Sequence, residues 1–179
     1  MQELENLDSA GEIDLYYADE SHVCTSGYVP YGWQFKDENV FIPSEKSARL
    51  NIFGMITRGN QYKGFMTQES INADKVSDFL DKMSFQVRKR NFVVLDNATV
   101  HRNAKLKELR SIWESRGLFL FFLPPYSPEL NLAETLWRIL KGKWIRPMDY
   151  VSNDTLFYSA NRALAAVGIS LFVNYSKCA

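Results

Sequence analysis

FVVL at residues 92–95 and LFLFFL at residues 118–123 are short apolar runs that decide how this chain is organised. Runs of this length are typical of strands that are buried on both faces of a sheet. Between them, a helical pattern covers about 102–115 and is closed by Gly117, a residue common just after helices. Strand, helix and strand in this order predict an α/β domain with helices packed on a sheet.

The sequence before this unit predicts an antiparallel start. IDLYYAD at 13–19 has the aromatic and apolar character of a buried strand, and short extended pieces follow at 27–35 and 38–42. Residues 48–58 alternate apolar and polar, and Gly59-Asn60 begins a turn into 61–67. These segments predict a three-strand antiparallel meander. Asn72 then caps a predicted helix over about 73–89.

Two more helices are predicted after the second apolar run, one over about 132–145 that stops before Pro147 and one over about 153–167. The complete order, β-β-β-α-β-α-β-α-α, resembles that of the RNase H-like (retroviral integrase-like) fold, with a mixed sheet. We expect one domain over 1–179, with its core at about 13–146 and a C-terminal helical tail at 147–179.

Composition excludes several classes of protein. The chain has 179 residues, 46% hydrophobic and 23% charged, which fits one globular domain and argues against disorder. The longest apolar run, 118–123, is too short to span a membrane. The acidic N-terminus does not resemble a secretory signal, and two cysteines cannot form a disulfide framework. A reducing, cytoplasmic location is expected.

Charge is unevenly distributed along a chain whose net charge is zero. Residues 1–87 carry 7 Lys and Arg against 14 Asp and Glu, whereas residues 88–146 carry 12 against 5. A basic half can attract the phosphate backbone of a nucleic acid. Charge clusters are also common on ordinary solvated helices, so charge alone does not distinguish a nucleic-acid-binding surface from a solvated helix surface.

Asp19 and Asp96 each follow a predicted buried strand. Functional groups of open α/β sheets gather at the carboxyl ends of strands, where side chains leave the packed core. An acid at such a position is costly to desolvate unless it meets a cation or a donor. A turn or cap role is the alternative, since Asp96-Asn97 could form an Asx turn.

Glu134 lies in the predicted helix over about 132–145 and shares a face with Arg138 and Lys141. It also has capping-box spacing from Asn131, so it could instead satisfy a backbone N–H. A carboxylate beside two cations suits a metal that faces a phosphate. Three acids without a His and Cys cluster favour Mg²⁺ or Mn²⁺ over zinc.

Two motifs carry a resemblance to a known family. LDNATVHR at 95–102 and LPPYSPELN at 123–131, followed by Glu134 and Trp137, resemble the bacterial insertion-sequence branch of the mariner superfamily of DDE transposases. Asp19-Glu-Ser21, with Tyr31-Gly-Trp33 downstream, resembles the first catalytic block of that family. The resemblance covers about 13–146 and is specific because both motifs occur in the right order.

The resemblance implies a metal-dependent DNA endonuclease and strand transferase that cleaves transposon ends and joins the freed 3′-hydroxyl to target DNA. It implies Asp19, Asp96 and Glu134 as catalytic residues and ligands of two Mg²⁺ ions, with Mn²⁺ as a substitute. It also implies that DNA is the partner, that the chain forms a homodimer or larger assembly on DNA, and that it is located in the cytoplasm in association with the nucleoid. Candidate DNA contacts are Arg88, Lys89, Arg90, Arg102, Lys105, Arg138 and Lys141, and Asn97 and His101 are candidates for positions around the metal ligands.

The chain departs from the family pattern in two ways. Leu132 stands where the family commonly has Pro, which the first turn of a helix tolerates. Only twelve residues precede the first predicted strand, so we expect the helix-turn-helix region of the family to be missing from this chain. A separate chain could supply it. The alternative function is therefore a catalytically silent remnant that binds DNA non-specifically, and an RNase H-type nuclease on RNA–DNA hybrids is a third possibility.

Overall fold

The computed structural model describes residues 1–25, 48–96, 104–124 and 127–175, without the side chains of 104, 105 and 128. Its strands are β1 (Asp14–Cys24), β2 (Arg49–Ile56), β3 (Tyr62–Thr67), β4 (Asn91–Leu95) and β5 (Leu118–Phe122). Its helices are α1 (Gln2–Ser9), α2 (Ala73–Ser84), α3 (Ala104–Ser115), α4 (Leu132–Ile139) and α5 (Asn153–Ala165). The predicted extended pieces at 27–35 and 38–42 lie outside the described residues.

The five strands form one mixed sheet in the order β3-β2-β1-β4-β5. β1, β2 and β3 pair antiparallel, which confirms the predicted meander. β4 and β5 extend the sheet on the other side of β1, and both neighbouring pairs there are parallel. β1 is therefore the central strand, and its side chains reach both faces of the sheet.

Side chains alternate between the two faces, and each face has its own helices. Tyr16 and Ala18 of β1 pack against α2 and α3, where Trp113 is fully buried. Val23 packs on the opposite face with α4 and α5. Tyr17 lies on that same face, in a cluster that Leu4 of α1 covers. This alternation, with a period of two residues, decides which acids can meet.

Two helices end differently from the prediction. α2 ends at Ser84 and not near 89, because the chain must turn to enter β4. In this connection Val87 packs against Gly117, where an added Cβ would lie 3.1 Å from Val87 Cγ1. The helix predicted over about 132–145 divides into α4 and a π turn, Leu140–Trp144. A 3-10 turn, Pro147–Val151, follows before α5.

Helix α1 was not predicted from the sequence, because it is short and presents no clear apolar stripe. Side chains hold it to β1: Asp8 Oδ1 accepts from the Leu15 N–H at 3.0 Å, and the Tyr17 hydroxyl donates to Glu5 Oε1 at 2.9 Å. Arg58 Nη2 also donates to Glu5 Oε1, at 2.9 Å. Polar contacts with distant residues therefore place this helix, and local sequence periodicity cannot reveal them.

The C-terminal segment is fixed to the turn between β2 and β3. Asn60 adopts a positive φ of 64° there, which non-glycine residues seldom do. Its buried amide accepts from the Val173 N–H at 2.6 Å and donates to the Val173 carbonyl at 3.1 Å. Across the described ranges, no helix has the length and apolar character needed to cross a membrane.

Candidate active site

Strand register places Asp19 level with Asp96. In the parallel pair of β1 and β4, Tyr17 is opposite Val94, so two residues further on each strand bring Asp19 and Asp96 to the same height. The sequence predicted that β1 would end at Asp19. The strand instead continues to Cys24, paired with β2, and Asp19 lies inside it at the point where β4 has ended.

Asp19 also lies on the same face of the sheet as the side chains of Tyr17 and Val94, which pack together. Because alternate residues share a face, Asp96 leaves β4 toward the face of Val94 as well. Both aspartates are partly buried. The observed register and alternation therefore bring the first two predicted acids together.

Helix α4 crosses this face and is anchored beside Asp19 by two hydrogen bonds. Trp137 Nε1 donates to Asp19 Oδ2 at 3.0 Å, and Asn131 Nδ2 donates to the Ala18 carbonyl at 3.0 Å. Trp137 and Asn131 are both buried. The helix that carries Glu134 is thus attached to the strand that carries Asp19, on the same side of the sheet.

Gly54 makes room for this attachment. It is opposite Asp19 in the antiparallel pair of β1 and β2. A Cβ at Gly54 would lie 2.7 Å from Trp137 Cη2 and 2.8 Å from the Tyr62 hydroxyl, which is closer than side chains normally approach. The absence of a side chain at this position therefore lets the indole reach the carboxylate.

Electrostatics show that the three acids are neighbours. The pKa of Asp19 is raised to about 7, first by burial, then by the negative charge of Glu134 and, to a smaller extent, by that of Asp96. Hydrogen bonds from the Glu20 N–H and from Trp137 oppose this rise. An acid whose nearest charges are also acids is a common feature of catalytic and metal-binding sites.

Glu134 lies in the first turn of α4, and its side chain is exposed. The helix is capped by Asn131, whose side chain accepts from the Ala133 N–H at 3.1 Å. Within the described part of the chain, Glu134 makes no return bond to the Asn131 N–H. The capping-box alternative therefore has no support in the structure, and the carboxylate is available to the site.

Lys141 brings a cation to the same cluster, from the π turn that follows α4. Burial lowers its pKa, and the negative charges of Glu134 and Asp19 partly offset this effect. The charges of both acids therefore act on its ammonium group, which forms no ion pair with either acid among the described residues. Arg138, one turn after Glu134, is exposed.

The donor set suits a hard divalent cation, because carboxylate oxygens are the ligands that Mg²⁺ and Mn²⁺ prefer. Over the ranges that the structure describes, no three His, Cys, Asp or Glu side chains are gathered tightly enough to hold an ion. Repulsion between Asp19 and Glu134 is a physical reason for this spacing. A cation between them would remove that repulsion and draw the carboxylates inward.

The other predicted site residues are not part of this cluster. Arg88, Lys89 and Arg90 immediately precede β4, so they lie at the opposite edge of the sheet from Asp96. Lys89 Nζ is paired there with Asp14 Oδ1 at 2.7 Å. Asn97, His101 and Arg102 lie outside the described residues. The backbone of Lys105 belongs to α3, but its side chain is not among the described parts of the structure.

Sequence reasoning missed two residues of the site. Trp137 was noted only as part of the motif that carries the family resemblance, although a buried indole N–H needs an acceptor, and this requirement was the available signal. Gly54 had no signal, because its role depends on the approach of a helix distant in sequence.

Comparison with solved structures defines the class of fold. The crystal structure of the Mos1 strand transfer complex matches with a TM-score of 0.63 and 15% identity, covering 92% of this chain and 51% of that chain. The catalytic domain of Mos1 mariner transposase matches with a TM-score of 0.54 and 14% identity, covering 92% and 76%. The HTLV-2 integrase catalytic core domain, solved with magnesium in a dimeric form, matches at 0.52 and 13%, covering 86% and 84%. The predicted RNase H-like fold is confirmed.

The sequence comparison gives the family. Residues 14–156 match the DDE superfamily endonuclease family, and the chain belongs to it. The uncharacterized protein y4pE/y4sA of Sinorhizobium fredii is 40% identical over 53 residues, which is 30% of this chain and 35% of that protein. This chain thus spans about half the length of the Mos1 chain in the strand transfer complex and a smaller part of the y4pE/y4sA protein. Membership of the bacterial insertion-sequence branch stays a prediction.

Proposed function

We propose that this chain is the catalytic domain of a DNA transposase, which cleaves phosphodiester bonds at transposon ends and joins the freed 3′-hydroxyl to target DNA. The observation that carries the proposal is the hydrogen bond from Trp137 of α4 to Asp19 of β1, which holds the helix of Glu134 beside that acid; burial and the charges of Glu134 and Asp96 raise the pKa of Asp19 there. Like charges held together in a partly buried site cost free energy, and bound cations would offset that cost.

Asp19, Asp96 and Glu134 would hold two Mg²⁺ ions, with Mn²⁺ as a substitute. Such ions activate a water or hydroxyl nucleophile and stabilise charge on the attacking and leaving oxygens. Trp137 would keep Asp19 in one orientation through its bond to Oδ2. Lys141, beside Glu134 and Asp19, would attract the phosphate that is to be cleaved.

The remaining parts of the proposal concern partners. DNA is the substrate, and pairing of two transposon ends would require a homodimer or a larger assembly. Recognition of the end sequence would be supplied by a helix-turn-helix region on another segment or on a separate chain. Residues 1–179 would act as one catalytic domain, with its core at 13–146, and would work where chromosomal DNA lies, in the cytoplasm.

A second candidate is a catalytically silent remnant that only binds DNA. The absence of a closely gathered acid trio among the described residues favours it. The two candidates differ in one measurable property, which is phosphodiester cleavage that depends on both a divalent metal and the acids.

Nicking of supercoiled plasmid DNA in Mg²⁺ or Mn²⁺ tests the proposal, because it does not require a known end sequence. The wild-type chain is compared with Asp96→Asn and with Asp14→Asn, a matched control that removes an acid at the opposite edge of the sheet. We expect metal-dependent nicking that falls by about 10³-fold or more in Asp96→Asn and persists in Asp14→Asn. Joining of a precut oligonucleotide with a free 3′-hydroxyl tests the second step.

If the folded wild-type chain produces no metal-dependent nicks or joined products, even after a helix-turn-helix module is supplied, the remnant is the better description. Equal loss in Asp96→Asn and Asp14→Asn would also reject the proposed role of the acid cluster, because it would indicate a general effect of removing charge.

A further inference from the structure

A groove lies between the π turn, the 3-10 turn and α5. Its volume is about 740 Å³, within the usual size range of ligand clefts, which is roughly 300–1,000 Å³. One wall comes from the π turn and the 3-10 turn, including Lys143, Trp144 and Arg146. The other comes from α5, including Tyr158 and Arg162. None of these residues belongs to the acid cluster.

The groove has more cationic than acidic side chains in its lining. Lys143, Arg146 and Arg162 form no ion pair among the residues that the structure describes. Asp149 is the one acid of its lining, and Asp149 Oδ2 is already used to accept from the Arg146 N–H at 2.7 Å. Three cations that converge without counter-ions create a local potential that attracts anions.

An aromatic side chain stands among these cations. Tyr158 is 66% exposed although it is large and apolar in most of its surface. It shares a face of α5 with Arg162, because the two are four residues apart. Unpaired bases stack on exposed aromatic rings, and cations beside the ring hold the phosphates of the same strand. Cations alone would fit any anion, whereas cations around a free ring fit a nucleic acid strand.

The groove is connected to the acids by α4, which carries Glu134, and by the π turn that follows it, which carries Lys143. Glu134 and Lys143 are nine residues apart, which corresponds to about 13 Å along the helix axis. Stacked nucleotides advance about 3.4 Å each, so this distance equals roughly four nucleotides. A strand that runs from the acids to the groove would therefore need at least about four nucleotides, because its path also has to follow the surface of the helix.

We propose that this groove, formed by Lys143, Arg146, Tyr158 and Arg162, binds an unpaired stretch of the DNA strand adjacent to the bond that is cut. The inference rests on the proposed function for the nature of its ligand. It adds a strand-binding site that the acid cluster and the basic residues before β4 do not provide. Phosphates lie against the three cations, and one base stacks on Tyr158.

Fluorescence anisotropy with a labelled single-stranded oligonucleotide tests the groove in metal-free buffer, so that cleavage does not enter the measurement. The variant Lys143→Gln/Arg162→Gln removes one cation from each wall. Its matched control, Lys82→Gln/Lys107→Gln, removes the same charge from exposed positions on α2 and α3. Thermal unfolding checks that both variants are folded.

We expect the groove variant to bind about tenfold more weakly at about 0.1 M salt. The slope of log K against log salt should fall by about 1.4, from two lost phosphate contacts on a single strand. The control variant should change neither quantity in this way. Tyr158→Ala should also weaken single-strand binding about tenfold, while Tyr158→Phe, which keeps the ring, should bind like the wild type.

Equal affinities and equal slopes for the groove and control variants would overturn the proposal, because they would indicate diffuse attraction. So would equal binding by Tyr158→Ala and Tyr158→Phe. Sedimentation decides a third case: if the groove variant changes the oligomeric state and leaves DNA binding intact, the groove contacts a second copy. Because binding is measured without metal, an inactive wild-type chain would reject the proposed function without deciding this result.

Discussion

Acidic side chains at the two edges of the sheet have opposite surroundings. At the amino end of β4, Asp14 is paired with Lys89 at 2.7 Å, and nearby Glu5 is paired with Arg58 at 2.9 Å. Burial alone would raise the pKa of Glu5, but the hydrogen bonds from Arg58 and Tyr17 lower it overall. At the other edge, burial and the charges of Glu134 and Asp96 act on Asp19, and its pKa rises to about 7.

A partly buried acid can therefore have one of two roles, which depend on the charges around it. An acid with a cationic partner in the chain is ionised at neutral pH and adds modestly to stability. An acid beside other acids opposes folding when all are ionised, so its position is favourable only when a cation arrives from solution. The acids at the first edge are paired with cations of the chain itself, whereas at the second edge neighbouring acids raise the pKa of Asp19.

The largest effect should appear when stability is measured against pH. Asp19 is more easily protonated when folded than when unfolded, so the folded state binds the extra proton between about pH 4 and about pH 7. The free energy of unfolding should therefore fall as pH rises through this window, by about 2–4 kcal/mol, and stay lower above it. Urea unfolding in EDTA at a series of pH values measures this.

Asp19→Asn should remove most of this pH dependence and be more stable than the wild type at pH 8, since it removes the repelled charge. Asp14→Asn should retain the pH dependence, because its partner at the other edge is Lys89. Mg²⁺ or Mn²⁺ should stabilise the wild type at pH 8 more than Asp19→Asn. Parallel pH profiles for the wild type and Asp19→Asn would show that the two edges do not differ as described.

The sequence predicted the antiparallel meander, the two buried parallel strands and the acids, because apolar runs and turn residues are local signals. It did not predict that β1 continues beyond Asp19 or that α2 ends at Ser84, because both depend on how neighbouring segments of the chain pack and pair. The bond from Trp137 to Asp19 joins residues 118 positions apart, and no local pattern contains it. Asp19 was thus easier to propose from the sequence than Trp137, which binds it.

A smaller effect is expected from Trp137→Phe, which keeps a ring but removes the N–H that binds Asp19 Oδ2. Partners of metal ligands typically contribute about tenfold or more to metal affinity. We expect the Mn²⁺ concentration for half-maximal nicking to rise about tenfold. The stability profile should also shift to higher pH, because the lost bond had lowered the pKa of Asp19.

Trp144→Phe is the matched control, since Trp144 packs against the same core as Trp137 and the structure shows no bond from it to the acids. Loss of packing alone should lower the thermal stability of both variants and leave the metal requirement of Trp144→Phe unchanged. A metal requirement that rises equally in both variants would mean that Trp137 only fills space.

The smallest effect should come from the edge where charges are already paired. Lys89→Gln removes the ion pair with Asp14, whose side chains are 38% and 29% exposed, so water can replace much of the lost interaction. The free energy of unfolding should fall by no more than about 1 kcal/mol in urea titrations. Nicking should stay within about twofold of the wild type, because Lys89 lies across the sheet from Asp96. A much larger loss of nicking, with stability unchanged, would place DNA on this edge too, and the two edges would then share one substrate.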